Sequence, residues 1–91
     1  MIRIIETHHF EDIDHDAGYE YIGDEYTIDA NGQTIYVRKY CGEDQASITK
    51  PLCIDVNSSI ALFEFIRENL LVSKIEVYVS ELGCYRPVDF P

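Results

Sequence analysis

Apolar and polar residues alternate on both sides of Asn31-Gly32, and this pattern predicts a β-hairpin. The Asn-Gly pair accepts the positive φ angles of a two-residue type I′ turn. With the turn at this point, the opposed pairs are Ala30–Gln33, Asp29–Thr34, Ile28–Ile35, Thr27–Tyr36, Tyr26–Val37 and Glu25–Arg38. Opposed residues share a face, so the apolar pairs meet on one side of the hairpin and Glu25 meets Arg38 on the other.

A helix is predicted over about residues 58–70. Asn57 or Ser58 supplies the N-cap, and the apolar stripe after it has helical spacing and ends near residues 69–71. The stripe consists of Leu62, Phe65, Ile66 and Leu70, and it leaves Glu64, Arg67 and Glu68 for solvent.

Shorter strand patterns surround these two elements. Strands are predicted within residues 1–7, 19–28, 47–56, 74–80 and 84–90. Gly23-Asp24 indicates a turn or bulge in the second of them, and Pro51 and Pro87 interrupt the third and the fifth, because proline cannot donate to a ladder. The polar and acidic stretch 8–16 is interpreted as a loop.

Together these elements predict an α+β fold, in which an antiparallel sheet of four to six short strands has one α-helix, at about 58–70, packed on one face. A chain of 91 residues makes a single globular domain, 1–91. Its 46% hydrophobic content, with seven tyrosines and four phenylalanines, excludes a disordered acidic tail.

The negative charge is concentrated in the N-terminal third. The formal net charge is −10, and residues 1–30 carry nine carboxylates against one base, whereas residues 31–91 carry eight carboxylates against six bases. Binding to a phosphate backbone requires clustered Lys and Arg, so direct nucleic-acid binding is excluded. A concentrated negative field can instead steer association with a basic protein, and this effect weakens as salt rises.

The three cysteines are Cys41, Cys53 and Cys84, which cannot all pair within one chain and match neither a redox motif nor a zinc motif. A reducing compartment is the simplest interpretation. The N-terminus lacks the pattern of a signal peptide, and no apolar stretch reaches 18 residues. The expectation is a soluble, cytoplasmic protein that makes no membrane contact.

Histidines and carboxylates cluster between residues 8 and 16. Imidazole and carboxylate groups can bind zinc, manganese or iron, and the candidate ligands are His8, Asp12 and His15. Their spacing matches no established ligand motif. The alternative, a solvated acidic loop with no metal, is favoured here.

Catalysis has no positive support in the sequence. Cys53 lies in a strand pattern and is expected to pack as a small apolar residue, and no histidine follows His15 to activate a thiol. No glycine-rich phosphate loop is present. The prediction is a protein that is not an enzyme and that uses no cofactor.

Tyrosines set among carboxylates are the remaining candidate for function. Tyrosine offers rigid contact area with a polar tip, and carboxylates can engage the Lys and Arg that otherwise hold phosphates. The predicted partner-binding residues are Glu11, Asp12, Asp14, Asp16, Glu20, Tyr21, Asp24, Glu25 and Tyr36. The alternative is that the tyrosines cover the sheet and the acidity serves solubility.

In its overall character the chain resembles the small acidic inhibitors, such as anti-CRISPR and anti-restriction proteins, that phages and mobile elements encode. The likeness consists of size, a sheet with a helix, cysteines without a framework and the acidic segment from Glu6 to Asp29, with no shared motif. It implies a monomer or homodimer in the bacterial host cytoplasm that occupies the basic surface of a nuclease or CRISPR effector complex. Small acidic immunity proteins against toxin nucleases, a small metal-binding domain, and an assembly subunit that dimerises through an edge strand remain alternatives.

Overall fold

The computed structural model describes residues 1–49 and 59–88. Within these ranges the elements are β1 (Ile2–Asp14), β2 (Tyr19–Ala30), β3 (Gln33–Tyr40), β4 (Gln45–Ile48), α1 (Ile60–Leu70), β5 (Lys74–Val79) and β6 (Cys84–Pro87). The six strands form one sheet in chain order from β1 to β6. A six-stranded sheet with one helix agrees with the predicted α+β class.

The sheet is mixed, so the prediction of a purely antiparallel sheet is wrong. β4 and β5 run parallel, whereas the other four neighbouring pairs are antiparallel. The connection explains the difference, because α1 lies between β4 and β5 in the chain. A helical crossover returns the chain to the end of the sheet from which the previous strand started, which makes the two strands parallel.

The β2–β3 hairpin has the predicted register along its whole length. All six predicted pairs are present, and Asn31 and Gly32 have φ angles of 55° and 91° at the tip. Asp29 Oδ1 accepts a hydrogen bond from the Gly32 amide at 3.0 Å. On the face away from the core, Arg38 pairs with Glu25 as expected.

The core lies between α1 and one face of the sheet. Buried helix side chains from α1 meet buried aliphatic side chains from β2, β3, β4 and β5. The core residues are Ile28, Ile35, Val37, Ala46, Ile48, Leu62, Phe63, Ile66, Leu70, Val72 and Ile75. Burial of apolar side chains from both layers is the main stabilising contribution in a domain of this size.

The helix ends where expected but begins later than predicted. The N-cap is Ser59, whereas the predicted caps Asn57 and Ser58 lie outside the described residues. Leu71 closes the helix in the left-handed conformation at φ 56°. Phe63 is buried in the core and Phe65 is only partly buried, so the apolar stripe is rotated relative to the prediction.

The predicted acidic loop at residues 8–16 is mostly strand, because β1 continues to Asp14 by pairing with β2. Pairing supplies partners for the backbone polar groups, so a strand can form there without an apolar pattern. The predicted turn or bulge at Gly23-Asp24 is absent, and β2 is continuous through both residues. The irregularity of this hairpin lies in β1, between Ile4 and Glu6.

The remaining predicted strands are shorter than expected in the described part of the chain. β4 ends at Ile48, and residues 50–56 of the predicted third strand lie outside the described ranges. β6 spans Cys84–Pro87, and residues 89 and 90 also lie outside them. None of the helices in residues 1–49 and 59–88 has the length and apolar character needed to cross a membrane.

Candidate functional site

The β1–β2 hairpin extends past the end of β3 as a two-stranded segment, here called the ribbon (residues 11–22). The last pair that β2 makes with β3 is Gly23 with Tyr40, whereas the pairing of β1 with β2 continues as far as Asp14 with Tyr19. The turn is closed by Asp14, whose Oδ1 accepts hydrogen bonds from the amides of Asp16 at 3.0 Å and Ala17 at 2.9 Å. This side chain therefore has a structural role in addition to its charge.

The ribbon brings the densest acidic part of the sequence together. It contains five carboxylates and neither Lys nor Arg. Its acidic residues are Glu11, Asp12, Asp14, Asp16 and Glu20; all of them are exposed except Asp14, which is partly buried. Antiparallel pairing places Glu20 directly opposite Ile13, between Asp12 and Asp14 on the other strand. The charge of the N-terminal third thus belongs to one hairpin, and five of its nine carboxylates lie at the end of that hairpin, on both of its faces.

Aromatic side chains cluster where the ribbon joins the sheet, on the face opposite α1, here called the outer face. The cluster consists of Phe10, Tyr19, Tyr21 and Tyr40, with ring centroids 5.1 Å apart for Tyr19 and Tyr21, 5.8 Å for Tyr21 and Tyr40, and 5.7 Å for Phe10 and Tyr40. Such tilted and edge-to-face contacts are favourable ring geometries. Tyr78 and Tyr85 form a second pair, 5.4 Å apart, across β5 and β6.

Arg38 lies at the centre of the outer face and connects its parts. The guanidinium carbon lies 4.9 Å from the Phe10 ring centroid and 6.0 Å from that of Tyr40. Nη1 donates to the Tyr40 hydroxyl at 3.4 Å, and Nη2 donates to Glu25. The hydrogen bond to Tyr40, followed by the interaction with Glu25, raises the pKa of Arg38, so the side chain remains a cation. Arg38 therefore joins β1, β2 and β3 by cation–π and charge-assisted contacts.

The predicted partner-binding residues do not all share one face. Asp12, Tyr21, Glu25 and Tyr36 follow the alternation of the outer face, and Asp14 and Asp16 lie at the turn of the ribbon. Glu11 and Asp24 lie on the opposite face, where both contact His9, and Glu20, which pairs with Ile13, follows the same alternation. Phe10, Arg38, Tyr40, Ser47 and Glu76 were not among the predicted site residues. Period-two spacing in β1 and β3 would have placed Phe10, Arg38 and Tyr40 on the outer face.

Two depressions mark the outer face. The first has a volume of about 440 Å³ and lies around Tyr36, Arg38 and Glu25. The second has a volume of about 600 Å³ and lies beside the aromatic cluster. The second is lined by Glu20, Tyr21, Ile22, Tyr40, Cys41, Glu43, Ser47 and Glu76. Each of the two depressions combines carboxylates with tyrosine, and this combination is suited to a basic side chain.

His9 bridges two carboxylates on the face that α1 occupies elsewhere in the sheet. Its Nδ1 lies 3.0 Å from Asp24 Oδ1, and its Nε2 lies 3.3 Å from Glu11 Oε1. The hydrogen bond to Asp24, followed by the one to Glu11, raises the pKa of His9 above the ordinary 6.5. The protonated ring therefore stabilises the hairpin below that ordinary value, and this contribution is lost as pH rises through the raised value of the folded state.

Replacing Asp24 by asparagine is expected to lower the pKa of His9 toward its ordinary value, because the larger of the two carboxylate contributions is removed. The titration of the His9 ring protons, followed by NMR, measures the change. Asp12→Asn is the matched control, since Asp12 and His9 lie on opposite faces of β1. An unchanged His9 titration in Asp24→Asn would mean that the bridge is absent in solution.

The described residues contain no group of three or more His, Cys, Asp or Glu side chains arranged to hold a metal ion. The candidate ligands His8 and Asp12 pair with different residues of β2, Glu25 and Tyr21, and a separation of four strand residues corresponds to about 13 Å. His15 lies beyond β1 in the turn. Cys41 and Cys84 are free and exposed, and Cys53 lies outside the described residues.

Comparison of the chain with protein-family models, with curated proteins and with solved structures finds no match. The physical basis for a function is therefore the ribbon and the outer face themselves. They combine a dense run of carboxylates, exposed tyrosines and two shallow depressions. This chemistry suits contact with a basic protein surface.

Proposed function

We propose that this protein is a non-enzymatic binding protein that inhibits a basic, nucleic-acid-handling partner by occupying the surface to which DNA or RNA binds. The observation that carries the proposal is the concentration of carboxylates on the ribbon, where five of them lie on one two-stranded segment that contains neither Lys nor Arg. Anti-CRISPR and anti-restriction proteins, which the chain resembles in character, act on partners of this kind.

The charge density of the ribbon supports competition with nucleic acid. Four paired positions in each strand span about 13 Å at the usual rise of a β-strand. Four of the five carboxylates lie on these positions and Asp16 lies in the turn beyond them, which corresponds to about one charge per 3 Å of ribbon, close to the 3.4 Å per charge along one strand of duplex DNA. A partner surface that neutralises a phosphate strand can therefore neutralise the ribbon with the same Lys and Arg side chains.

The tyrosines beside the ribbon supply contact area that charge alone does not. Tyr21 is 50% exposed and Tyr36 is 38% exposed on the outer face. Tyrosine is enriched at protein interfaces because its ring buries apolar area and its hydroxyl keeps a hydrogen-bonding partner. Charge then provides steering and selectivity for a basic partner, while the aromatic surface provides short-range affinity.

Capture followed by competition tests this proposal. The immobilised protein is incubated with a bacterial lysate, the retained protein is identified by mass spectrometry, and the pair is reconstituted from purified components. We expect a basic partner whose own DNA or RNA binding is inhibited by one equivalent of this protein, and we expect excess duplex DNA or RNA to release the partner. A partner that binds nucleic acid equally well with and without the protein would contradict the proposal.

A further inference from the structure

The second depression of the outer face has an aromatic side and an acidic side. Tyr21 and Tyr40 contribute the rings, and the lining also includes Glu20, Glu43 and Glu76. In the described part of the chain, no Lys or Arg lines it. A depression of this composition, with a volume of about 600 Å³, offers both a π surface and negative charge to an incoming cation.

The protein already holds one guanidinium in similar surroundings nearby. Arg38 lies over the Phe10 ring, donates to the hydroxyl of Tyr40, and pairs with Glu25. Aromatic ring, hydroxyl and carboxylate together satisfy a planar cation that has several donors. The second depression has the same three components in Tyr21, Ser47 and Glu76, without a cation of its own among the described residues.

Glu76 is held in position at the floor of this site. Its Oε1 accepts a hydrogen bond from Ser47 Oγ at 2.6 Å, across the parallel pair of β4 with β5. Its charge also acts on Tyr85. Burial makes the largest contribution to the raised pKa of Tyr85, and the charge of Glu76 raises that pKa further. A carboxylate that is already oriented loses less side-chain freedom when a cation binds.

We propose that the second depression binds the guanidinium of an arginine side chain from the partner protein, with the cation against Tyr21 and Tyr40 and paired with Glu76. The inference rests on the proposed function and specifies the residue type that anchors the partner. Arginine suits the site better than lysine, because its planar guanidinium stacks on aromatic rings and binds a carboxylate with two donors. Arg38, one strand away from Ser47, does not prevent this, since Glu25 offsets its charge.

The test uses the isolated protein and a defined probe, N-acetyl-arginine amide, titrated while backbone amide shifts are recorded by NMR. We expect saturable, millimolar binding with shifts at Tyr21, Tyr40 and Glu76. The lysine analogue is expected to bind more weakly, and the neutral citrulline analogue is expected to give no saturable shift. The variants Tyr21→Leu and Glu76→Gln are each expected to weaken binding by about two- to fivefold.

The matched control is Glu64→Gln on α1, which should bind the probe as wild type does. Equal binding of the citrulline or lysine analogue, or shifts confined to residues outside the depression, would overturn the arginine site. In that case the proposed function would still be supported, provided that the protein captures a basic partner which excess DNA releases. Loss of that capture with intact arginine binding would instead contradict the proposed function.

Discussion

Replacing Gly23 by alanine is expected to destabilise the protein by about 1–3 kcal/mol, because the added methyl group meets backbone that cannot move aside. A Cβ at this position would overlap the carbonyl oxygen of Lys39 and lie 2.9 Å from the Cα of Tyr40. It would also lie 3.0 Å from Cζ of Phe10. The substitution therefore separates β2 from β3 where the ribbon and the aromatic cluster begin.

Thermal and urea unfolding of Gly23→Ala measure this effect, with an expected decrease in Tm of about 5–20 °C. The double variant Phe10→Ala/Gly23→Ala is the control for the origin of the clash. Removing the Phe10 ring is not expected to restore stability, because the other two contacts are with backbone. A single variant as stable as wild type would show that the two strands do not approach this closely in solution.

Elements with a local cause could be predicted from the sequence. The register of the β2–β3 hairpin follows from the Asn31-Gly32 turn and from agreement between its two faces, and all of its predicted pairs are present. The C-terminal end of the helix follows from the extent of its apolar stripe. In both cases the residues that determine the structure are close together in the chain.

The ribbon could not be predicted because nothing in residues 8–16 alternates between apolar and polar. Both faces of this segment are exposed, so its strand conformation depends on pairing with β2 and on the turn that Asp14 and Gly18 close. The parallel pairing of β4 with β5 was missed for a related reason, since it depends on how the connection through α1 packs over the sheet. Non-local contacts determine both features.

The candidate site was predicted in part, since the acidic residues and Tyr21 were identified from composition. The side chains that organise the outer face were not, because Phe10, Arg38 and Tyr40 come from two strands that β2 separates. Their contact requires the close approach that Gly23 allows. No spacing rule within a single segment contains this information.

Reversing three charges on the ribbon, Asp12→Lys, Asp16→Lys and Glu20→Lys, is expected to weaken binding to the partner by about 100-fold or more, because like charges would then face each other. These side chains make no hydrogen bond or ion pair with the described residues, so the fold should be retained. Asp14 is left unchanged because its carboxylate closes the turn, and Glu11 because it contacts His9.

The control carries the same number of reversals away from the ribbon, Glu64→Lys, Glu68→Lys and Glu81→Lys. Each reversal makes the net charge more positive by two units, so each triple variant changes the formal net charge from −10 to −4. Any effect of total charge is therefore equal in the two variants. Circular dichroism and thermal unfolding establish that both remain folded.

The affinity of the reconstituted pair, measured by calorimetry for wild type and both triple variants at two salt concentrations, tests the binding role of the ribbon most directly. We expect the ribbon variant to lose about 100-fold or more and to show little remaining salt dependence, while the control stays within about threefold of wild type. Equal losses in the two variants, or a ribbon variant that binds as tightly as wild type, would contradict a binding role for the ribbon.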